Sequence, residues 1–218
     1  MTKYISLLIF LASIFTNGYA QKIHFGIQGG AGIATITTDN EDFKDVENAY
    51  LGISKNYPVF SYGFNLYTGY SINENWGIAV EPGFIRKGFA KKVSDNDRIL
   101  RKSSYLDYLH IPILAEFYLK DENITFSAGP ELAFLLNANQ KFNGANTDIL
   151  NTYTDKKFDL GLQIGAYYTV KKHFDIGIKG GVSLLKIDDI TLVNNANEVI
   201  GRYAQRNAYS HLFMRIKL

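Results

Sequence analysis

Six charged residues draw attention first, because each falls on the small-residue side of an alternating segment: Glu81, Glu116, Glu131, Lys179, Arg215 and Lys217. Carboxylates beside cations can exchange protons, line an ion path, or pair and close it. Four histidines, His24, His110, His173 and His211, add further titratable nitrogens. Ser210 next to His211 raises a hydrolase option, since a nucleophile needs a base within hydrogen-bond reach. Alternation defeats it: neighbours on a strand point to opposite faces. His24 and His110 share the face of His211, and His173 lies in a turn, so no histidine can serve Ser210. Catalysis is not expected. His110 and His211 read instead as members of the hydrogen-bond network around the six charges. The chain has no cysteine, which removes disulfides and thiolate metal ligands, and Asp188-Asp189 is an isolated acidic pair. No metal site and no cofactor are expected.

These residues are held by eight segments of period two: 22–36, 59–72, 76–89, 105–119, 124–136, 158–170, 174–187 and 206–218. In FSYGFNLYTGYSI, residues 60–72, large apolar or aromatic side chains alternate with serine, glycine and asparagine. That pattern is a β-strand with one greasy face and one face of little bulk. The connections alternate as well. Residues 73–75, 120–123 and 171–173 are short polar turns, whereas 37–58, 90–104, 137–157 and 188–205 read as long unpatterned loops. Short turns on one rim and long loops on the other fit an even-stranded outer-membrane barrel. Trp76 and Phe174 restart strands after short turns and suit an aromatic girdle at the inner interface.

The first twenty residues read as an export leader, with Lys3, an apolar run over 4–15 and small residues before Gln21. The barrel domain is then 21–218, one domain with no linker. The chain carries 23 basic and 21 acidic residues, too even a balance to suggest a nucleic-acid partner. After the leader no continuous apolar stretch is long enough for a membrane helix, so membrane entry requires a closed barrel.

Two barrels could use these strands. A soluble lipocalin-like barrel would line a small-ligand cavity with its apolar face and meet water with the other. A membrane barrel reverses this. The sparse face is mostly glycine, alanine and serine, a poor solvated surface but a good filling for a narrow interior. We therefore expect an all-β, eight-stranded, antiparallel up-and-down transmembrane barrel, with the apolar face toward lipid. The inward charges then meet across the lumen: Arg215 against Glu81 or Glu116, with Lys179 and Glu131 completing the group. A plugged lumen is the expectation; a small channel is the alternative. Pro82, Pro112 and Pro130 lie inside strands, where each removes a ladder donor, and a β-bulge is expected at each.

At LHIPILAEFY, residues 109–118, followed by AGPE, residues 128–131, the chain resembles the PorT-like outer-membrane β-barrel family of Bacteroidetes. His110 stands where that family usually has glutamate. The resemblance implies an eight-stranded barrel without a general assigned activity. The expected surroundings are outer-membrane lipid and lipopolysaccharide, with a protein partner possible at the external loops and a monomer in the membrane.

Overall fold

The computed structural model describes residues 23–41, 56–95, 98–119, 121, 123–153, 156–193 and 199–218. The expected leader lies outside these residues, as do 42–55 of the first long connection. The strands are β1 (Ile23–Glu41), β2 (Asn56–Tyr57), β3 (Val59–Ser71), β4 (Trp76–Val80), β5 (Gly83–Asp95) and β6 (Arg98–Leu119). They continue with β7 (Ile124–Phe142), β8 (Ala145–Asp148), β9 (Phe158–Lys171), β10 (Phe174–Ser183), β11 (Asp188–Val193) and β12 (Val199–Lys217). A 3-10 turn, Leu150–Tyr153, lies among the described residues.

β4 and β5 are two parts of one barrel strand. β1, β3, β4–β5, β6, β7, β9, β10 and β12 then form a ring of eight, every neighbouring pair antiparallel, closed where β1 meets β12. The apolar positions of each strand stand on the outside. Phe60, Phe64 and Leu66 on β3, Ile164 on β9 and Leu212 on β12 are all more than half exposed. Between the rims, from Phe25 to Ile33 on β1 and from Phe60 to Tyr70 on β3, no outward position is charged. Such a belt matches the roughly 9–11 residues a strand needs to cross a bilayer. The soluble alternative needed this face to line a cavity, and it does not.

Two expectations about the strands need correction. Residues 90–104, read as a loop, are strand on both sides of 96–97, and β6 is 22 residues long. Parts of 37–58, 137–157 and 188–205 are also strand. Above the belt the exterior is wet, so the pattern changes sign rather than vanishing. Ile36, Leu106, Ala138 and Ile187 turn inward there and form an apolar cluster with Val59, Ile85, Phe89, Leu135 and Tyr153. The prolines do not cause bulges either. β3 pairs Thr68 with Val80 and Gly63 with Ile85, so nothing is inserted at Pro82. Pro112 pairs with Glu131 and Ala115 with Ala128, so register also holds past Pro112 and Pro130. The shift between β6 and β7 lies higher, where Tyr108 pairs with Leu135 and Asp107 with Asn137. Leu136 is the extra residue, and it reverses which residues of β7 face inward.

The missing proline donor is replaced locally. Glu81 donates its backbone N–H to the Pro112 carbonyl at 3.0 Å, but Pro112 has no N–H to return. The Glu81 carbonyl instead accepts from the Asn65 side-chain amide at 2.8 Å. A side chain thus completes the pairing that the backbone cannot.

Candidate functional site

The buried inward side chains group in layers. Nearest the rim that carries the termini, Arg215 on β12 is the centre. β10 places Asp175 and β1 places Gln28 directly opposite it in the ladder. Arg215 Nε donates to Gln28 Oε1 at 3.1 Å, Nη2 to Glu81 Oε1 at 2.8 Å, and Nη1 to Glu116 Oε1 at 3.3 Å. Asp175 Oδ2 lies 3.9 Å from Nη1. The guanidinium is stacked over Tyr67 at 3.7 Å and Tyr167 at 4.3 Å. Tyr67 and Tyr118 each donate to the remaining oxygen of Glu116 at 2.9 Å. Lys179 donates to the other oxygen of Glu81 and lies over Phe213 at 4.8 Å. Lys217 closes the layer at the mouth, 2.8 Å from Asp175 and partly exposed. Three cations, Arg215, Lys179 and Lys217, therefore meet three carboxylates, Glu81, Glu116 and Asp175.

The second layer is separate. Lys87 on β5 donates to Glu131 at 2.6 Å and approaches Asp159 at 3.5 Å. Tyr209 donates to Glu131, Ser183 donates to Asp159 at 2.6 Å, and Asn207 donates to the Tyr108 hydroxyl at 3.1 Å. Lys179 therefore pairs with Glu81, and Glu131 is answered by Lys87. The expected group is two groups, because Glu131 sits one belt level above Glu81 along the tilted strands. Lys87, Asp159 and Asp175 complete these layers and are not among the six charges that the alternation singles out. Lys87 and Asp159 extend the inward registers of Glu81-Gly83 and Gly161-Gln163. Asp175 falls on the inward face of β10, opposite Phe174 and Ile176.

Two of the three inward histidines, His110 and His211, have ring orientations fixed by their partners. The Asn65 amide nitrogen is already oriented by the Glu81 carbonyl, and it lies 2.8 Å from His110 Nε2. Nε2 must then accept, which leaves the hydrogen on Nδ1, facing Glu131 at 3.6 Å. His211 Nε2 lies 2.6 Å from Ser61 Oγ, a buried serine–histidine contact. Ser61, however, donates its hydrogen to the Arg86 carbonyl, so His211 is the donor to Ser61. That is the reverse of what a nucleophile and its base require. Ser210 faces outward, away from both. Among the described residues no group of three histidine, aspartate or glutamate side chains could hold a metal ion.

On the loop side of these layers lies the buried apolar cluster that includes Ile36, Val59, Phe89, Tyr153 and Ile187. Below them a polar vestibule of about 780 Å³ opens at the terminal rim, lined by His24, Tyr118, Thr169 and Lys217 with Arg215 and Asp175 among its walls. Trp76 stands outside near this rim, 49% exposed and 4.9 Å from the Phe117 ring. Phe174 lies at the same rim, half-buried.

The chain matches the family described as outer membrane protein beta-barrel domain over residues 19–189. Among solved structures it is similar to Neisserial surface protein A, at 16% identity and a TM-score of 0.47 over 89% of this chain and 97% of that one. It is similar to OprG of Pseudomonas aeruginosa, at 12% identity and a TM-score of 0.46 over 90% and 97%. The attachment invasion locus protein Ail of Yersinia pestis gives 14% identity and a TM-score of 0.39 over 88% and 99%. No curated protein matches the chain. Its belt, its closed ring and this match place the protein in the outer membrane, as a member of the outer membrane protein beta-barrel domain family.

Proposed function

We propose that this protein is a shut, non-catalytic outer-membrane barrel that acts at the cell surface, as a structural element or through a protein partner held by its loop-side extension. What supports this reading is the buried, paired interior: two groups of inward ion pairs and a buried apolar cluster lie between the vestibule and the loop rim. An ion crossing it would have to separate Arg215 from Glu81 and Glu116 in a poorly hydrated space, which is costly. The inverted donor role of His211 and the outward position of Ser210 support the absence of hydrolysis. Both termini lie on the periplasmic side, residues 1–20 are removed on export, and the barrel is a monomer within lipid and lipopolysaccharide. Within its family the chain sits with the PorT-like branch, on LHIPILAEFY and AGPE. The test is reconstitution into planar bilayers together with mass analysis of lipid A from expressing cells. The expected result is no steady conductance and unaltered lipid A. Stable conductance would make it a channel, and altered lipid A an enzyme.

A further inference from the structure

We propose that the second charged layer holds one alkali-metal cation beside Asp159 and Asn207. The first layer is balanced, with Arg215, Lys179 and Lys217 against Glu81, Glu116 and Asp175. The second is not. Lys87 faces two buried carboxylates, Glu131 at 2.6 Å and Asp159 at 3.5 Å. The two histidines near it add no charge. His110 Nε2 accepts from Asn65, and a second hydrogen on His211, at Nδ1, would find no acceptor. Among the described residues this layer therefore carries one net negative charge. Lys87 is closer to Glu131, so that charge rests on Asp159.

A buried carboxylate without a counter-charge is costly. The side chains mark where the counter-charge belongs. Asp159 Oδ2 accepts from Ser183 at 2.6 Å, but Oδ1 has no donor. Asn207 is fully buried and turns its amide nitrogen to the Tyr108 hydroxyl at 3.1 Å and to Asp159 Oδ2 at 3.5 Å. Its Oδ1 also has no donor. The neighbours of Asp159 are small: Ala133 stands opposite it in the ladder, and Gly161 is the next inward residue of β9. One carboxylate oxygen and one amide oxygen are ligands for a hard cation. Water would satisfy both oxygens but not the charge. A divalent ion would turn a deficit of one into an excess of one, whereas a singly charged ion balances the layer. The site lies between the first layer and the apolar cluster, so the ion is taken up as the barrel closes and acts as a ligand of folding.

The experiment folds the mature chain from urea into detergent micelles while choline chloride replaces sodium chloride stepwise, and reads the folded fraction on unheated gels. Total ionic strength stays constant, which removes screening as a cause. For one bound ion the folding equilibrium constant of wild type should rise about tenfold for each tenfold rise in sodium above its dissociation constant. D159N keeps the shape of the side chain and its contact with Ser183, and it should fold equally well in sodium and in choline. Should D159N not fold at all, wild-type crystals grown in rubidium chloride decide, with the anomalous signal of rubidium expected beside Asp159 Oδ1 and Asn207 Oδ1. Wild-type folding that is equal in sodium and choline, an undiminished sodium dependence in D159N, or no rubidium at this position would overturn the proposal. Folding that ignores sodium but improves as the pH falls would overturn it as well, by placing a proton on Asp159.

Discussion

At the scale of single residues, Arg215 is the most consequential side chain, because it is buried and faces three carboxylates and two tyrosine rings. Arg215→Ala should destabilise the folded barrel by roughly 3–5 kcal/mol, as breaking a buried ion pair does. The rescue should depend on which carboxylate is neutralised. Glu81 keeps Lys179, whereas Glu116 keeps only the two tyrosine hydroxyls. Urea unfolding in lipid should therefore show Glu116→Gln restoring more of the Arg215→Ala loss than Glu81→Gln does. A second cycle tests the proline repair. Asn65→Ala strands the Glu81 carbonyl and should cost about 1–3 kcal/mol. Adding Pro112→Ala returns a backbone donor, so the double variant should be more stable than Asn65→Ala alone. A fully additive cycle would contradict the repair. Parity alone made Glu81, Glu116, Lys179 and Arg215 legible as inward charges. It could not say that Glu131 belongs to another layer, since depth depends on strand tilt and stagger, which no single strand's pattern contains.

At the scale of elements, the strands were legible within the belt and misread above it. Lipid demands an apolar exterior and gives strong alternation; water outside lets the apolar residues turn inward, and the Leu136 bulge then shifts parity on β7. The Asn143-Gly144 pair, both with positive φ, makes a two-residue turn between β7 and β8, and that dipeptide could have signalled the hairpin. Closure of the ring depends on backbone approach at the β1–β12 seam. A Cβ on Gly32 would collide with the Ser210 carbonyl, whereas one on Gly29 would meet only Gly63 and Phe64 atoms at 3.7 and 3.8 Å. Gly32→Ala should lower the fraction of heat-modifiable, folded barrel on unheated gels by an amount corresponding to about 1–3 kcal/mol. Gly29→Ala should leave that fraction unchanged.

At the scale of the whole molecule, the barrel is two inside-out halves joined end to end: apolar outside and charged within across the membrane, polar outside and apolar within toward the loop rim. The chain has no cysteine, so single introduced thiols report on sidedness without background. With the loops outward, Asn146→Cys should react with an impermeant maleimide on intact cells, and Asn73→Cys only after permeabilisation. The inside–outside assignment underlies everything else, and adjacent residues of β12 test it most directly. Leu212 is 71% exposed and Phe213 is 3% exposed, on opposite faces of one strand. In a Trp76→Phe background, which removes the single tryptophan, Leu212→Trp and Phe213→Trp are each folded into bilayers containing phospholipids brominated in mid-chain. The fluorescence of the Leu212→Trp variant should be strongly quenched and that of the Phe213→Trp variant nearly unaffected; equal or reversed quenching would contradict the account.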